Sequence, residues 1–414
     1  MKSFKPNTTP VIVCLLFFAA ACKKETVSTK TAESSIASNA TTLAATAQTI
    51  YLNGTWGGHP VYQYIDVPGK IHYWDFVPHY QDESFEYLND LSNVPLINHD
   101  TIIWGGPNVY KLNKLNSTVF ATYNYAHSTD RFSGIGAVYS PTYYRAKKYT
   151  IFVTQNILRC IDATGTLIWD KLGTFGCAPS LSHGNLFITF NNKLACFNPS
   201  TGKTKWKFTP VKQYTNNSVC ATATTVYSVD NQANIYANDA ATGALVWQKK
   251  YGTITGPPSG LPAHIAYADN KIFLVTSALL RCLDATTGDE LWNSSAAVAA
   301  DFGQNSFCVL KDKVIIPGLQ GGVTRLFAFN LTGGLVWVNA DQNYYGYSPV
   351  EAGGTVYVTY ISSTGVPGIA GIGTTSGLLE WDYPINARPY SMTIEKTDGS
   401  VSYPIDCGER DKTN

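Results

Sequence analysis

Nine cysteines and seven histidines are the residues of this chain with the most capacity for metal binding or nucleophilic chemistry. The histidines are His59, His72, His79, His99, His127, His183 and His264. No pair has the H-x-H or H-x-x-x-H spacing that sets two imidazoles on one face of a strand or helix around a metal. His99 and His183 fall at equivalent short turns, which is a local backbone role. There is no nucleophile elbow, no phosphate-cradling glycine loop and no calcium loop. Cys160, Cys196 and Cys282 occupy one recurring position at which Ala237 and Ala328 stand elsewhere, and Cys177, Cys220 and Cys308 share another. A position that alternates between Cys and Ala is a tightly packed core position. A disulfide framework or metal ligation are the other uses open to these thiols. Leaving out Cys14 and Cys22, seven cysteines remain, so at least one is unpaired.

The residues suited to binding are aromatic and lie in four long connections. These are "FVPHYQDESFEYLND" (76–90), "YNYAHSTDRFSGIGAVY" (123–139), "QNYYGYS" (342–348) and "YPINARPY" (383–390). Rings flanked by Arg, Asn, Asp and Gln stack on sugars and also anchor protein contacts. The contact candidates are Arg131, Tyr139, Tyr344, Tyr345, Tyr347, Arg388 and Tyr390. The competing role for any one of these tyrosines is to pack between structural units.

The elements that hold these loops are written as a repeated phrase. "YANDAATGALVW" ends at Trp247 and "RCLDATTGDELW" at Trp292. Variants end at Trp74, Phe120, Trp169, Trp206, Trp337 and Trp381, at intervals of 37 to 49 residues, and seven of the nine tryptophans fall on this one position. Alternating apolar residues on either side of the phrase predict two paired strands. The Asp or Asn accepts hydrogen bonds from amides two residues on, closing the turn. Gly165, Gly202, Gly243 and Gly288 supply the positive φ that the turn needs. Each Trp is expected to lie flat between neighbouring units, where burying about 150–250 Å² is worth at most about 4–6 kcal/mol.

A second hairpin precedes each phrase, as in "APSLSHGNLFITF" and "AHIAYADNKIFLV". Each unit is therefore four antiparallel strands, A to D, and four-stranded units of about 45 residues in series are the blades of a β-propeller. The fold class is all-β, with eight blades from eight phrases, or seven if the phrase at Phe120 is not a blade. The ring closes when the C-terminal A–B strands (about 390–405) join the N-terminal C–D strands.

The pattern A-x-D-x-x-T-G-x-x-x-W, met by Ala237, Asp239, Thr242, Gly243 and Trp247, resembles the tryptophan-docking motif of the pyrroloquinoline-quinone (PQQ) repeat propellers, over residues 50 to about 405. The resemblance implies the fold and the docking role of Trp74, Trp169, Trp206, Trp247, Trp292, Trp337 and Trp381. It is nearly silent about activity, because the family holds quinoprotein alcohol dehydrogenases as well as the lipoprotein of the outer-membrane β-barrel assembly machinery. The dehydrogenases imply bound PQQ and Ca²⁺, a catalytic Asp and often a vicinal disulfide. No two cysteines are adjacent here and nothing matches the catalytic positions, so no cofactor, metal or catalytic residue is expected, and an enzyme is disfavoured.

Lys2, Lys5 and the apolar run "VIVCLLFFAAA" (11–21) read as a signal peptide, too short to span about 30 Å of bilayer. Small residues directly before Cys22 resemble a lipobox, which implies that Cys22 is lipidated, and Lys23 after it favours the outer membrane. Residues 1–21 are then the signal, 22–48 a Ser/Thr/Ala-rich tether with little to bury, and 49–414 the propeller. With 30 basic against 29 acidic side chains there is no field for a nucleic acid. The expected function is a lipid-anchored bacterial-envelope scaffold whose partner is another envelope protein, such as an integral outer-membrane protein. The alternatives are a surface glycan-binding lipoprotein and a PQQ/Ca²⁺-dependent dehydrogenase.

Overall fold

The computed structural model describes residues 48–56, 59–67, 70–74, 96–98, 101–105, 109–113, 119–123, 139–144, 147–153, 157–176, 179–214, 219–253, 265–303, 306–344, 349–385, 388–396 and 401–402. The signal, Cys22 and the tether up to residue 47 lie outside these residues, and Gln48, expected to end the tether, opens the first strand. No α-helix occurs among them, and the strands form eight sheets.

Each sheet from blade 2 to blade 7 holds four consecutive antiparallel strands in chain order. Blade 5, for example, is Val219–Ala221, Thr225–Val229, Asn234–Asp239 and Leu245–Lys250. The B and C strands of this blade are buried except at their ends, as a sheet packed between two others must be. The A strands of most successive blades pack on one another, and the D strands form the exposed outer edges. The sheet Leu96–Tyr123 is one of the eight, so the phrase at Phe120 does belong to a blade.

Closure uses one more N-terminal strand than expected. Gln48–Trp56, His59–Val67 and Lys70–Trp74 fill positions B, C and D of blade 1, and Arg388–Lys396 pairs with the first of them, from Thr55↔Arg388 to Gln48↔Lys396. The two-residue strand Val401–Ser402 lies beyond Arg388–Lys396. The C-terminal hairpin therefore meets a complete B–C–D set, because a nine-residue strand at Gln48 offers a full free edge to a nine-residue partner.

Turn chemistry explains the tight B–C hairpins. Phe190 pairs with Lys193 across Asn191 (φ 48°) and Asn192 (φ 59°), and Gln320 with Val323 across Gly321 (φ 64°) and Gly322 (φ 82°). Two consecutive positive φ angles match the strand twist, and Asn and Gly tolerate them best. His183 (φ 45°) does the same at an A–B turn, beside Ser182 Oγ at 3.0 Å.

Candidate interaction face

The repeated phrase acts between blades. Trp169, Trp206, Trp247, Trp292 and Trp337 each donate Nε1–H at 3.0 Å to a carbonyl of the following blade: Pro199, Ala240, Ala285, Leu331 and Thr374 in turn. Each indole also covers that blade's turn glycine. A methyl group added at Gly202, Gly243, Gly288, Gly333 or Gly377 would stand 2.6–2.7 Å from the ring. The turn itself is closed as its Asx residue requires: Asp239 Oδ1 accepts from Ala241 N at 3.1 Å, Thr242 N at 2.7 Å and Thr242 Oγ1 at 2.7 Å. Gly165 has φ 88° in the equivalent turn of blade 3.

Directly across from the Trp of blades 3 to 8 stands a small residue, whereas Trp74 of blade 1 faces Tyr62. Cys160, Cys196, Ala237, Cys282, Ala328 and Gly371 pair with Trp169, Trp206, Trp247, Trp292, Trp337 and Trp381. A bulge follows each of these residues, aiming the Trp out of its own sheet. Cys160, Cys196, Cys220, Cys282 and Cys308 are free and buried. Burial pushes the thiols of Cys160, Cys282 and Cys308 up to about 12 and that of Cys196 to about 11, so these are core side chains and not nucleophiles. In blade 2 the same bulge pairs Lys111 with Ala121 and leaves Phe120 unpaired, so Ala121, and not Phe120, holds the tryptophan position. The phrase is shifted by one residue there.

The D-to-A connections run beside the B–C turns, and an aromatic residue anchors several of them. Asn191 N donates to Thr174 O, Asn231 N to Gln213 O and Leu319 N to Asp301 O, while Asn343 pairs with Ile361. The next residue each time is Phe175, Tyr214, Phe302 or Tyr344, and all four are buried. In blade 5 the connection is further tied by Val211 N donating to Tyr236 Oη, whose hydroxyl donates to the buried carboxylate of Asp230 at 2.8 Å.

This anchoring corrects the contact candidates. Tyr344 is 2% exposed, its hydroxyl bonds Asn339 Oδ1, and burial holds its phenol well above the usual tyrosine range. It is a plug and not a contact. Tyr139 opens a strand paired with Val153, and Arg388 and Tyr390 lie inside Arg388–Lys396, so none of the three is in a loop. That strand starts early because it has to cover Thr55 and Gly54. Arg131, Tyr345 and Tyr347 lie outside the described residues. Among the described residues no group of three or more His, Cys, Asp or Glu side chains could hold a metal ion.

Beside exposed polar turn residues such as Asn191, Asn192 and Gln232, this face also exposes aliphatic side chains. The B–C hairpins of blade 7 (Lys313–Gln320 and Val323–Asn330) and blade 8 (Thr355–Ile361 and Pro367–Gly373) are long, at eight and seven residues a strand, and only that of blade 1 is longer among the described residues. Their tips carry Leu319 (46% exposed), Val323 (41%) and Val366 (42%). The sequence reading missed these residues, although "GLQGGV" keeps apolar residues beside a Gly-Gly turn, where polar ones would suffice.

A family model described as outer membrane protein assembly factor BamB matches residues 154–366, half of the chain. The chain belongs to this family. No curated protein matches it in sequence. Among solved structures it is similar to BamB from Moraxella catarrhalis, with TM-score 0.53 and 19% identity over 75% of this chain and 96% of that one. It is also similar to the computationally designed Ika8 protein, with TM-score 0.55 and 10% identity over 77% and 98%. The quinohemoprotein alcohol dehydrogenase from Comamonas testosteroni gives TM-score 0.57 and 11% identity over 76% of this chain and 72% of that one. At these identities the three structures share the propeller fold with the BamB-family chain, and the dehydrogenase brings no site with it.

Proposed function

We propose that this BamB-family propeller is an assembly scaffold of the bacterial envelope, held to the outer membrane through lipidated Cys22 and the tether 22–48. Its loop face grips another envelope protein, an integral β-barrel protein being the expected class. The observation that carries this reading is the trio Leu319, Val323 and Val366, three aliphatic side chains exposed at the tips of the B–C hairpins of blades 7 and 8. Exposed aliphatic side chains on a projecting, rigid element are suited to a protein contact. The five described docking junctions make the support rigid, so little ordering entropy would be lost on binding. The reading needs no cofactor and no catalytic group.

The test is a Leu319→Asp/Val323→Asp double variant, co-purified from membranes. Both side chains are exposed, so the fold should hold while recovery of the β-barrel partner falls at least tenfold, a loss of about 1.4 kcal/mol or more. Recovery equal to wild type, with the melting temperature unchanged, would remove the loop face from the contact.

A further inference from the structure

The outer edges of the blades differ in one respect that bears on partners. Six D strands have described side chains, and five carry charge: Asp170 and Lys171 in Leu167–Leu172, Lys205 and Lys207 in Thr204–Phe208, Lys249 and Lys250 in Leu245–Lys250, Glu290 in Glu290–Asn293, Glu380 and Asp382 in Leu379–Pro384. Charged side chains on an edge strand discourage another chain from pairing with it. The sixth, Leu335–Asn339 of blade 7, reads "LVWVN" and has none. Leu335, Val336 and Val338 are 39%, 46% and 37% exposed. The strand is hydrogen-bonded on one side, to Val323–Asn330. Among the described residues no strand lies on its other side.

We propose that Leu335–Asn339 is an open docking edge that accepts a neutral, extended segment of a partner protein as a fifth strand of blade 7. Only another backbone satisfies the outward N–H and C=O groups of an edge, which makes the occupant a β-strand. The absence of charge on either face of the edge calls for a strand without charge, because an unpaired ionised group there would be desolvated without a partner. A second copy of this chain is the weaker occupant. Two five-residue edges meeting bury far less than the roughly 1,200 Å² of a stable interface. A partner's segment has no such limit, because the edge ends at Asn339, opposite Leu326, and the same hairpin continues to the exposed Val323 and Leu319. This edge runs up to the loop face at Val323, but its test reads Leu335–Asn339 itself, so the edge and the loop contact can fail separately.

The experiment uses the full chain and a capped peptide of alternating Thr and Val, read by amide hydrogen exchange. At a peptide concentration ten times its Kd, the amides of Leu335–Asn339 should exchange about tenfold more slowly, and those of Leu245–Lys250 should not change. A matched peptide with Lys in place of alternate Thr should give no protection on the unaltered chain. Val336→Lys should abolish the protection, Val336→Thr should keep it, and Val246→Lys, at the same register in blade 5, should have no effect. Equal protection of both strands, protection by the lysine peptide, or a dimer in sedimentation that Val336→Lys dissolves would each overturn the proposal.

Discussion

The indole of Trp247 lies on Gly288 of the next blade, 2.7 Å from where a methyl group would stand, and its Nε1–H bonds Ala285 O at 3.0 Å. One residue thus closes a blade-to-blade junction by packing and by a directed hydrogen bond.

Gly288→Ala should destabilise the propeller by about 2–4 kcal/mol, from the positive φ of 75° together with the clash against the indole. Urea unfolding measures it, and Gly243→Ala should behave alike. A Gly354→Ala control, at φ 87° with nothing within 4 Å, should show only the conformational part of the cost.

Trp247→Phe keeps most of the apolar contact and removes one of the two donors to Ala285 O, the Tyr227 hydroxyl at 3.2 Å being the other. A loss of about 0.5–1.5 kcal/mol is expected from the missing hydrogen bond, again by urea unfolding.

Tyr344→Ala should cost about 3–5 kcal/mol, as truncation of a buried aromatic does, whereas Tyr344→Phe, which loses only the bond to Asn339, should cost about 0.5–1.5 kcal/mol. A surface contact would show neither effect, so the pair distinguishes a plug from a binding residue.

The docking turns should give the fold an acid limit. Thr164 and Thr242 bond the carboxylates of Asp162 and Asp239, and Lys249 bonds that of Asp289, and each carboxyl is held below the ordinary 3.8. The folded pKa lies below the unfolded one, so this stabilisation is present above the ordinary carboxylate pKa and is lost as pH falls through the folded value. Asn198 and Asn330 make the same turn with an amide. An Asp162→Asn/Asp239→Asn/Asp289→Asn variant should therefore fold and show a flatter melting temperature between pH 5 and 2. An unchanged acid limb would assign it to other carboxylates.

The blade structure was legible in the sequence because one geometric demand, an indole on a glycine, rewrites the same residues at five successive junctions. The small partner of each Trp was visible as the Cys/Ala alternation, though the reason, a cross-strand Trp, emerges only from the register of pairs such as Cys282↔Trp292. Phe120 misled because an aromatic ring one residue from the docking position looks like a substitute, and only the bulge shows that Ala121 occupies it. The contact site was mostly illegible. Tyr344 and Phe302 have the composition of binding residues, but their burial depends on a D-to-A connection folding back beside a B–C turn, which periodicity does not record. Leu319 and Val323 read as ordinary strand residues until their exposure at the hairpin tip is seen.

The central claim is that the hairpin tips of blades 7 and 8 hold an envelope protein. A photocrosslinking amino acid placed at Val323 in living cells, with Leu291 on an outer strand as the exposed control, tests it most directly. The account predicts one reproducible adduct from Val323 that mass spectrometry identifies as an integral β-barrel protein, and none from Leu291. No adduct from Val323, or the same adducts from both positions, would contradict it.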